Sequence, residues 1–465
     1  MTLDPAKKLD VVILAAGQGT RMRSALPKVL HRLAGKPMVR HVIDTAQQLE
    51  ADRTHVVVGH GADKVRETLA DCPVRFALQA EQKGTGHAVA QALESLGNGR
   101  VLVLYGDVPL IRRATLEALL SSVDESHLGL LTVTLEDPAG YGRILRNAEG
   151  EAVAIVEHKD ASEAERAIRE CNTGIMAMTA AQLRRWLPSL SADNAQGEYY
   201  LTDIIAMAAA EGVQIVTTQP ANPLEVEGVN NRLQMARLER AHQLAVAEAL
   251  MTEGVALLDP SRLDVRGNLT CGHDVEIDVG CVFEGDVELG EGVRIGAHCV
   301  IRDSHIGAGT VIEPHSVIEG SVVAGRGTVG PFARLRPGTR LAVGAKVGNF
   351  VETKNVEVGE GSKINHLSYV GDARLGRDVN VGAGTITCNY DGAHKHRTEI
   401  GDGAFIGSNS ALVAPVSIGQ GATVGAGSTI SKDVADNALA VTRARQISRA
   451  DWPRPTKESG SIKKS

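Results

Sequence analysis

From about residue 263 onward an aliphatic residue returns at nearly every sixth position, and that period leaves few folds open. The leaders run Leu289, Ile295, Ile301, Ile306, Ile312 and Ile318, then Val323, Val329, Leu335, Leu341 and Val347. After a longer gap come Val358, Ile364, Val370, Leu375 and Val381, and finally Ile400, Ile406, Leu412, Ile418, Val424 and Ile430. Glycine follows many leaders directly, as at Gly290, Gly296, Gly307 and Gly407, and a small or β-branched residue stands four positions on, as at Val293, Ser316, Ser410, Ala422 and Ser428. Helices and single strands repeat at other periods, so six needs its own geometry. Three short strands wound into a triangular coil put every sixth side chain inward, and coils stacked about 4.8 Å apart align the leaders into columns. Glycines are expected at the corners, where backbone angles are demanding. The 50 glycines and an aromatic content of 3% suit such narrow packing. A disordered glycine-rich tract would not sustain an aliphatic period.

The rhythm breaks between Val381 and Ile400, where residues 387–398 read T-C-N-Y-D-G-A-H-K-H-R-T. A loop thrown out of a regular solenoid is either a plain surface excursion or part of a site. The repeat as a whole resembles the hexapeptide-repeat left-handed parallel β-helix family. That resemblance implies trimers with active sites between neighbouring prisms, although some members use the coil only for assembly.

The amino-terminal half has another grammar. A Val-Val-Ile-Leu run at residues 11–14 leads into A-A-G-Q-G-T-R-M and then S-A-L-P-K, so a buried strand feeds a glycine-rich turn followed by Arg21 and Lys28. Helical spacing over 37–49 (Val39, Val42, Ile43, Ala46, with Pro37 in the first turn) is followed by a strand over 54–58, helices near 63–69 and 85–96, and a strand over 101–105 ending in Gly106-Asp107. Such alternation predicts an α/β, Rossmann-like parallel sheet covered by helices, with ligands at the carboxyl ends of the strands. The glycine loop is neither a P-loop nor a dinucleotide fingerprint. Its glycines let backbone N–H groups approach phosphate, while Arg21 and Lys28 neutralise a triphosphate and its leaving pyrophosphate.

Composition narrows the partners. A net charge of −7 argues against nucleic acid or an anionic membrane, and no apolar run reaches the length of a membrane span. The start, Met-Thr-Leu-Asp-Pro, lacks a signal-peptide core. Six scattered cysteines without a C-x-x-C pair fit reduced thiols in a cytoplasm. The expected domains are 1–230, a helical linker over 231–251 reading as a rigid spacer, and 252–465, with disorder after about Trp452.

Taken together, L-x-x-G-x-G-T-R-M with P-K, Q-x-x-x-x-G-T at 79–85, Y-G-D at 105–107, Y-G-R-I at 141–144, I-V-E-H-K-D at 155–160, N-T-G at 172–174 and E-V-E-G-V-N-N at 225–231 resemble sugar nucleotidyltransferases. With the repeat, they are similar to the family of bifunctional N-acetylglucosamine-1-phosphate uridylyltransferases and glucosamine-1-phosphate acetyltransferases, over nearly the whole chain. The resemblance implies Mg2+ held by Asp107 and Asn230, positions that taken alone are equally a strand end and a helix cap. It implies a uridine pocket of Leu14, Ala15, Gly17, Gln79, Gly84 and Thr85, alongside Tyr105 and Gly106. It further implies that Gly142, Glu157 and Asn172 hold the N-acetylglucosamine portion. Positioning and charge neutralisation suffice for this transfer, without a covalent nucleophile.

Acetyl transfer needs a base, because an amine of pKa about 8 is partly protonated and inert toward a thioester. Composition cannot choose among 15 histidines. The family pattern R-x-R-P-G…N-F-V-E-x-K…H-L-x-Y…N-Y-D-G selects His366. The same pattern assigns Arg336, Lys354, Tyr369, Asn380 and Lys395 to glucosamine 1-phosphate. Ala383, Asn389, Tyr390, Ser408, Ala426 and Arg443 are assigned to acetyl-coenzyme A, although small residues here are also what the coil itself requires. Glu352 is a candidate for orienting His366. Asn365 replaces the glycine of the family, and asparagine tolerates the left-handed backbone expected there. Three functions are therefore open: a bifunctional enzyme making UDP-N-acetylglucosamine, a monofunctional nucleotidyltransferase with an oligomerising β-helix, and a trimeric scaffold with decayed sites. The protruding loop with His366, and the intact Arg21, Lys28 and Asp107, favour the first.

Overall fold

The computed structural model describes residues 8–454. The opening pentapeptide and the segment beyond Arg454, where disorder is expected, lie outside the described residues. Two compact units are present. One extends to Ala249 and takes back Leu263–Gly267, and the other comprises Leu250–Arg262 and the chain from Asn268 onward.

The first unit is built on Leu9–Ala15, in which all seven residues are buried. Val11 and Ile13 enter one apolar core and Val12 and Leu14 the other, so the unbroken apolar run follows from a strand covered on both faces. The sheet order is Gln214–Thr218, His127–Thr134, Glu170–Thr179, Arg100–Tyr105, Leu9–Ala15, Arg53–Val58 and Arg75–Leu78, with Arg143–Arg146 branching from Glu170–Thr179 and pairing in turn with Ala152–Val156. Glu170–Thr179 runs antiparallel to both neighbours, which the expectation of a parallel sheet does not include. Its register slips between Asn172 and Met176.

Helix Met38–Gln48 starts beside Pro37 and buries Val39, Val42, Ile43 and Ala46, as its spacing requires. The helix expected over 85–96 ends at Ala90 and gives way to a tight turn over Leu93–Ser95. There the Ser95 hydroxyl donates to the Ala92 carbonyl (2.7 Å), and the backbone tightens to i,i+3 bonds. Helix Arg232–Thr252 packs its start on the first unit, where Met235 and Leu238 join an apolar cluster with Met22, Leu33 and Met38.

The second unit is a stack of triangular coils. Every leader named above is buried. Their partners sit one coil on: Ile277 pairs with Ile295, Ile295 with Ile312 and Ile312 with Val329, all in parallel. A second column runs Phe283, Ile301, Ile318, Leu335, and a third Leu289, Ile306, Val323, Leu341. The longer gap in the rhythm is filled by Thr353, fully buried, with its hydroxyl 3.0 Å from that of Thr339. Thr387 takes the same role a little later, accepting from Gly371 N–H at 2.8 Å and donating to its carbonyl at 3.0 Å. An aliphatic count misses both because the inward side chain there is a threonine.

The corners match expectation only in part. One carries Asp303, Gly320, Asn355 and Asp372 in the left-handed region, and another His298, His315, Phe332, Phe350 and Leu367. A third corner is turned mostly by glycine, at Gly292, Gly309, Gly344, Gly361, Gly403 and Gly421, so the expectation holds there while the other two mix glycine with Asp, Asn, His and Phe. At Gly290 the demand is close approach instead, since a Cβ there would lie 2.6 Å from Ala308 N in the next coil.

Truncating one leader in mid-stack should leave a void that the neighbouring coils cannot fill. Ile318→Ala is expected to cost about 2–5 kcal/mol, read as a shift of the urea midpoint of the β-sheet circular dichroism signal. A shift equivalent to less than about 1 kcal/mol would contradict columnar packing.

Candidate active sites

At the carboxyl end of Leu9–Ala15 the chain turns through Gly17 and Gly19. Gly19 is left-handed (φ 61°), and a Cβ on it would run into the Lys28 side chain. Glycine here lets the turn close over Lys28. A cavity of about 310 Å3 opens above the strand ends, lined by Leu14, Ala15, Gly17, Lys28, Gln79, Gly84, Thr85, Tyr105 and Asp107. Gln79 is buried and donates to the Gly84 carbonyl at 3.1 Å, while Thr85 Oγ1 accepts from Leu201 N–H at 3.1 Å. Sequence reasoning missed Gln82 and Glu198 on this wall. Gln82 lies inside the Q-x-x-x-x-G-T stretch, but Glu198 comes from a distant loop without a motif of its own. Gly106 does not line this cavity; its N–H donates to the Leu14 carbonyl (2.9 Å), continuing the ladder between the two parallel strands.

Beside this cavity a second one, of about 260 Å3, holds Arg21, Tyr105, Asp107, Tyr141, Thr173 and Asn230. Lys28, from the first cavity, forms an ion pair with Asp107, which lines both, and Lys28 Nζ also lies 3.3 Å from Asn230 Oδ1. Arg21 reaches the same oxygen at 2.9 Å. The Asp107 and Asn230 oxygens thus converge on one cationic atom. Two hard oxygen donors around a stand-in ammonium fit Mg2+, which keeps several waters and takes phosphate oxygens for the rest. Among the described residues no group of three or more His, Cys, Asp or Glu forms a richer metal cage.

Gly142, Glu157 and Asn172 are also brought together. Asn172 N–H donates to the Gly142 carbonyl at 2.9 Å, and a Cβ on Gly142 would touch the Glu157 carboxylate. Burial raises the Glu157 pKa above the ordinary glutamate value, opposed by the hydrogen bond from Thr202 Oγ1 at 3.1 Å.

In the second unit His366 closes strand Lys363–His366 at the corner where Leu367 turns left-handed. It is exposed, and its Nδ1 lies 2.6 Å from Asn349 Oδ1, one coil below. Glu352, expected beside the histidine, instead pairs with Arg336 at 2.9 Å. The reason is strand register: Asn349 stands opposite His366, and Glu352 opposite Arg334 and Tyr369 on the next face. Asn365 lies in the strand, outside the left-handed region, so the substitution strains nothing there.

Lys354 and Tyr369 project outward on that next face, flanking the inward Thr353 and Val370, and Arg336 follows Leu335. Lys395 lies against Lys354 and lowers its pKa, with Arg336 adding to the effect. Asn389 donates to Asp372 (2.5 Å) and Tyr390 bridges Lys395, so the protruding loop folds back as a hairpin, its turn held by Asp391 accepting from His394 and Ala393 N–H. Asn380 stands on the other face, in register with Lys363 and Phe405, apart from the cations. Ala383, Ser408 and Ala426 form one column, coil upon coil. Ala383 accepts from Asn409 N–H and Ser408 from Gly427 N–H, with the Arg443 side chain against Gly425 and Gly427 at its end. His366 begins that column, accepting at its carbonyl from Gly384 N–H at 3.3 Å.

The fold and sites define a nucleotidyltransferase joined to a hexapeptide-repeat transferase. Residues 11–197 match the MobA-like NTP transferase domain, 265–389 the GMPPB C-terminal domain and 397–432 the bacterial transferase hexapeptide of six repeats. Bifunctional protein GlmU of Chromohalobacter salexigens is 74% identical, covering 97% of this chain and 100% of its own length. Bifunctional protein GlmU of Marinobacter nauticus is 61% identical over 97% of this chain and 99% of its own. The chain belongs to this bifunctional family, and is a transferase with nucleotidyl and acyl chemistry.

A carboxyl group kept partly out of water should show itself in pH dependence. Glu157 has a folded pKa above its unfolded value, so its contribution to stability is full below the unfolded pKa and is lost as pH rises through the folded one. Glu157→Gln is therefore expected to raise the melting midpoint of the first unit at pH 7 while leaving it unchanged near pH 4. An identical effect at both pH values would remove burial as the cause.

Proposed function

We propose that the chain makes UDP-N-acetylglucosamine in two steps, acetylating glucosamine 1-phosphate with acetyl-coenzyme A and then transferring UMP from UTP to the product with release of pyrophosphate. The observation that carries the first transfer is the exposed His366 at the foot of a column of small residues, one coil face from a cluster of cations. Its Nδ1 is held at Asn349, which leaves Nε2 to take the proton from the substrate amine as nitrogen attacks the thioester. Such general-base help is commonly worth about 10²–10⁴-fold. Arg336, Lys354 and Lys395 bind the phosphate. Their mutual repulsion is relieved when the dianion arrives, and the lowered Lys354 pKa is the trace of that repulsion. Tyr369 and Asn380 complete the sugar site. The groove along Ala383, Ser408 and Ala426 takes the coenzyme, with Asn389 and Tyr390 at one side and Arg443 toward its phosphates.

For the second transfer, uridine lies in the cavity of Leu14, Ala15, Gly17, Gln79, Gly84 and Thr85. Asp107 and Asn230 would hold Mg2+, which supplies charge neutralisation on the phosphates. Lys28, now paired with Asp107, turns to the triphosphate, and Arg21 to the departing pyrophosphate. Gly142, Glu157 and Asn172 hold the acetylated sugar, whose phosphate oxygen attacks the α-phosphate of UTP directly. The acetyl sites lie between subunits of a homotrimer in the cytoplasm. No helix among the described residues is long and apolar enough to cross a membrane. A β-helix serving assembly alone is disfavoured by His366 and the folded-back loop, and by a family match over both halves.

Two substitutions separate the chemistries. His366→Ala is expected to lower coenzyme A release by about 10²-fold or more with pyrophosphate release from UTP intact. Asp107→Ala should do the reverse. Loss of both activities in either variant would contradict independent sites.

A further inference from the structure

The two segments that face each other across the Mg2+ site, 27–31 and 230–234, lie about two hundred residues apart in sequence. In the site itself Lys28 reaches Asn230, as does Arg21 from the preceding turn, while farther back Met22, Leu33 and Met38 pack on Met235 and Leu238, and Ala34 N–H donates to Glu239 at 2.7 Å. The Lys28 and Arg21 joints both use charges that must turn to phosphate during the reaction, so neither can keep the walls apart at a fixed distance while the reaction proceeds. On the Lys28 turn itself lies a further polar joint. His31, 4% exposed, accepts at Nδ1 from Arg232 Nη1 at 3.2 Å.

His31 is well placed to transmit a position. Its N–H donates to the Lys28 carbonyl (3.2 Å), closing the turn that presents Lys28, and its carbonyl accepts from Met38 N–H (2.9 Å) at the start of the following helix. Arg232 begins the helix two residues after Asn230. Nε2 of His31 is buried without a hydrogen-bond partner, and a guanidinium can only donate, so the neutral ring carries its proton on Nε2. Nδ1 is then the bare acceptor that the guanidinium needs. Burial and the Arg232 charge both oppose a second proton on the ring, so the joint holds in the neutral form.

We infer that His31 and Arg232 are a positioning pair for uridylyl transfer, fixing the span between Lys28 and Asn230 while the charges in the site exchange partners. The inference rests on the uridylyl reading of the first site. Its consequence is a defect in turnover rather than in nucleotide binding, since neither side chain lines the uridine cavity.

The test compares the full chain with His31→Leu, Arg232→Met, the double variant and His31→Asn. Pyrophosphate and coenzyme A release are followed, together with thermal protection by UTP. His31→Leu and Arg232→Met should each lower kcat for pyrophosphate release about ten- to a hundredfold, the range that a small misplacement costs. KM for UTP, protection by UTP and coenzyme A release should stay as in the parent. The double variant should be no slower than the slower single one, because one joint is lost in either case. His31→Asn, whose Oδ1 takes the place of Nδ1, should recover most of the rate. Unchanged kcat in both single variants would overturn the inference. So would multiplied losses in the double variant, failure of His31→Asn to recover, or loss of protection by UTP. If the parent chain itself releases no pyrophosphate, it is the uridylyl reading that fails.

Discussion

Every coil of the second unit must bring an inward side chain back to the same height, and the rest of that unit depends on this condition. When Ile295 stacks between Ile277 and Ile312, all outward residues of the three coils are stacked as well. A parallel ladder transmits register without loss, because a slip of one residue would turn every leader outward. Chemistry is placed by the same rule. His366 faces Asn349 because both follow leaders of one column, and Lys354 stands above Arg336 because both flank another.

The condition also explains which residues break the aliphatic rule. Thr353 points inward between the outward Glu352 and Lys354, and Thr387 beside Cys388 and the start of the hairpin. Their hydroxyls are satisfied by Thr339 and Gly371. A buried hydroxyl without a partner would be costly, so these exchanges are stable only as hydrogen-bonded pairs. In the first unit the equivalent constraint is the doubly covered strand Leu9–Ala15, whose carboxyl end sets the glycine turn over Lys28.

Much of this was legible in the residues. The six-residue period announced the prism, and the 11–14 run with its glycine turn announced the nucleotide cavity, because both patterns are short-range. What escaped depended on partners distant in sequence. Glu352 stands two residues before Lys354 in a conspicuous motif, yet strand register puts Asn349 against the His366 ring. The left-handed residue near the histidine is Leu367 and not Asn365, since the corner lies two residues later than the motif suggests. Glu198 and the His31–Arg232 joint carry no local pattern at all; only the folded chain shows them.

The central claim is that coil register, and not the identity of the catalytic residues alone, makes the acetyl site. Inserting one alanine between Arg377 and Asp378 keeps every functional side chain but shifts those above the cut by one position against those below. Coenzyme A release should then disappear while the same chain still releases pyrophosphate from UTP. Acetyl transfer surviving that insertion at its original rate would contradict the account.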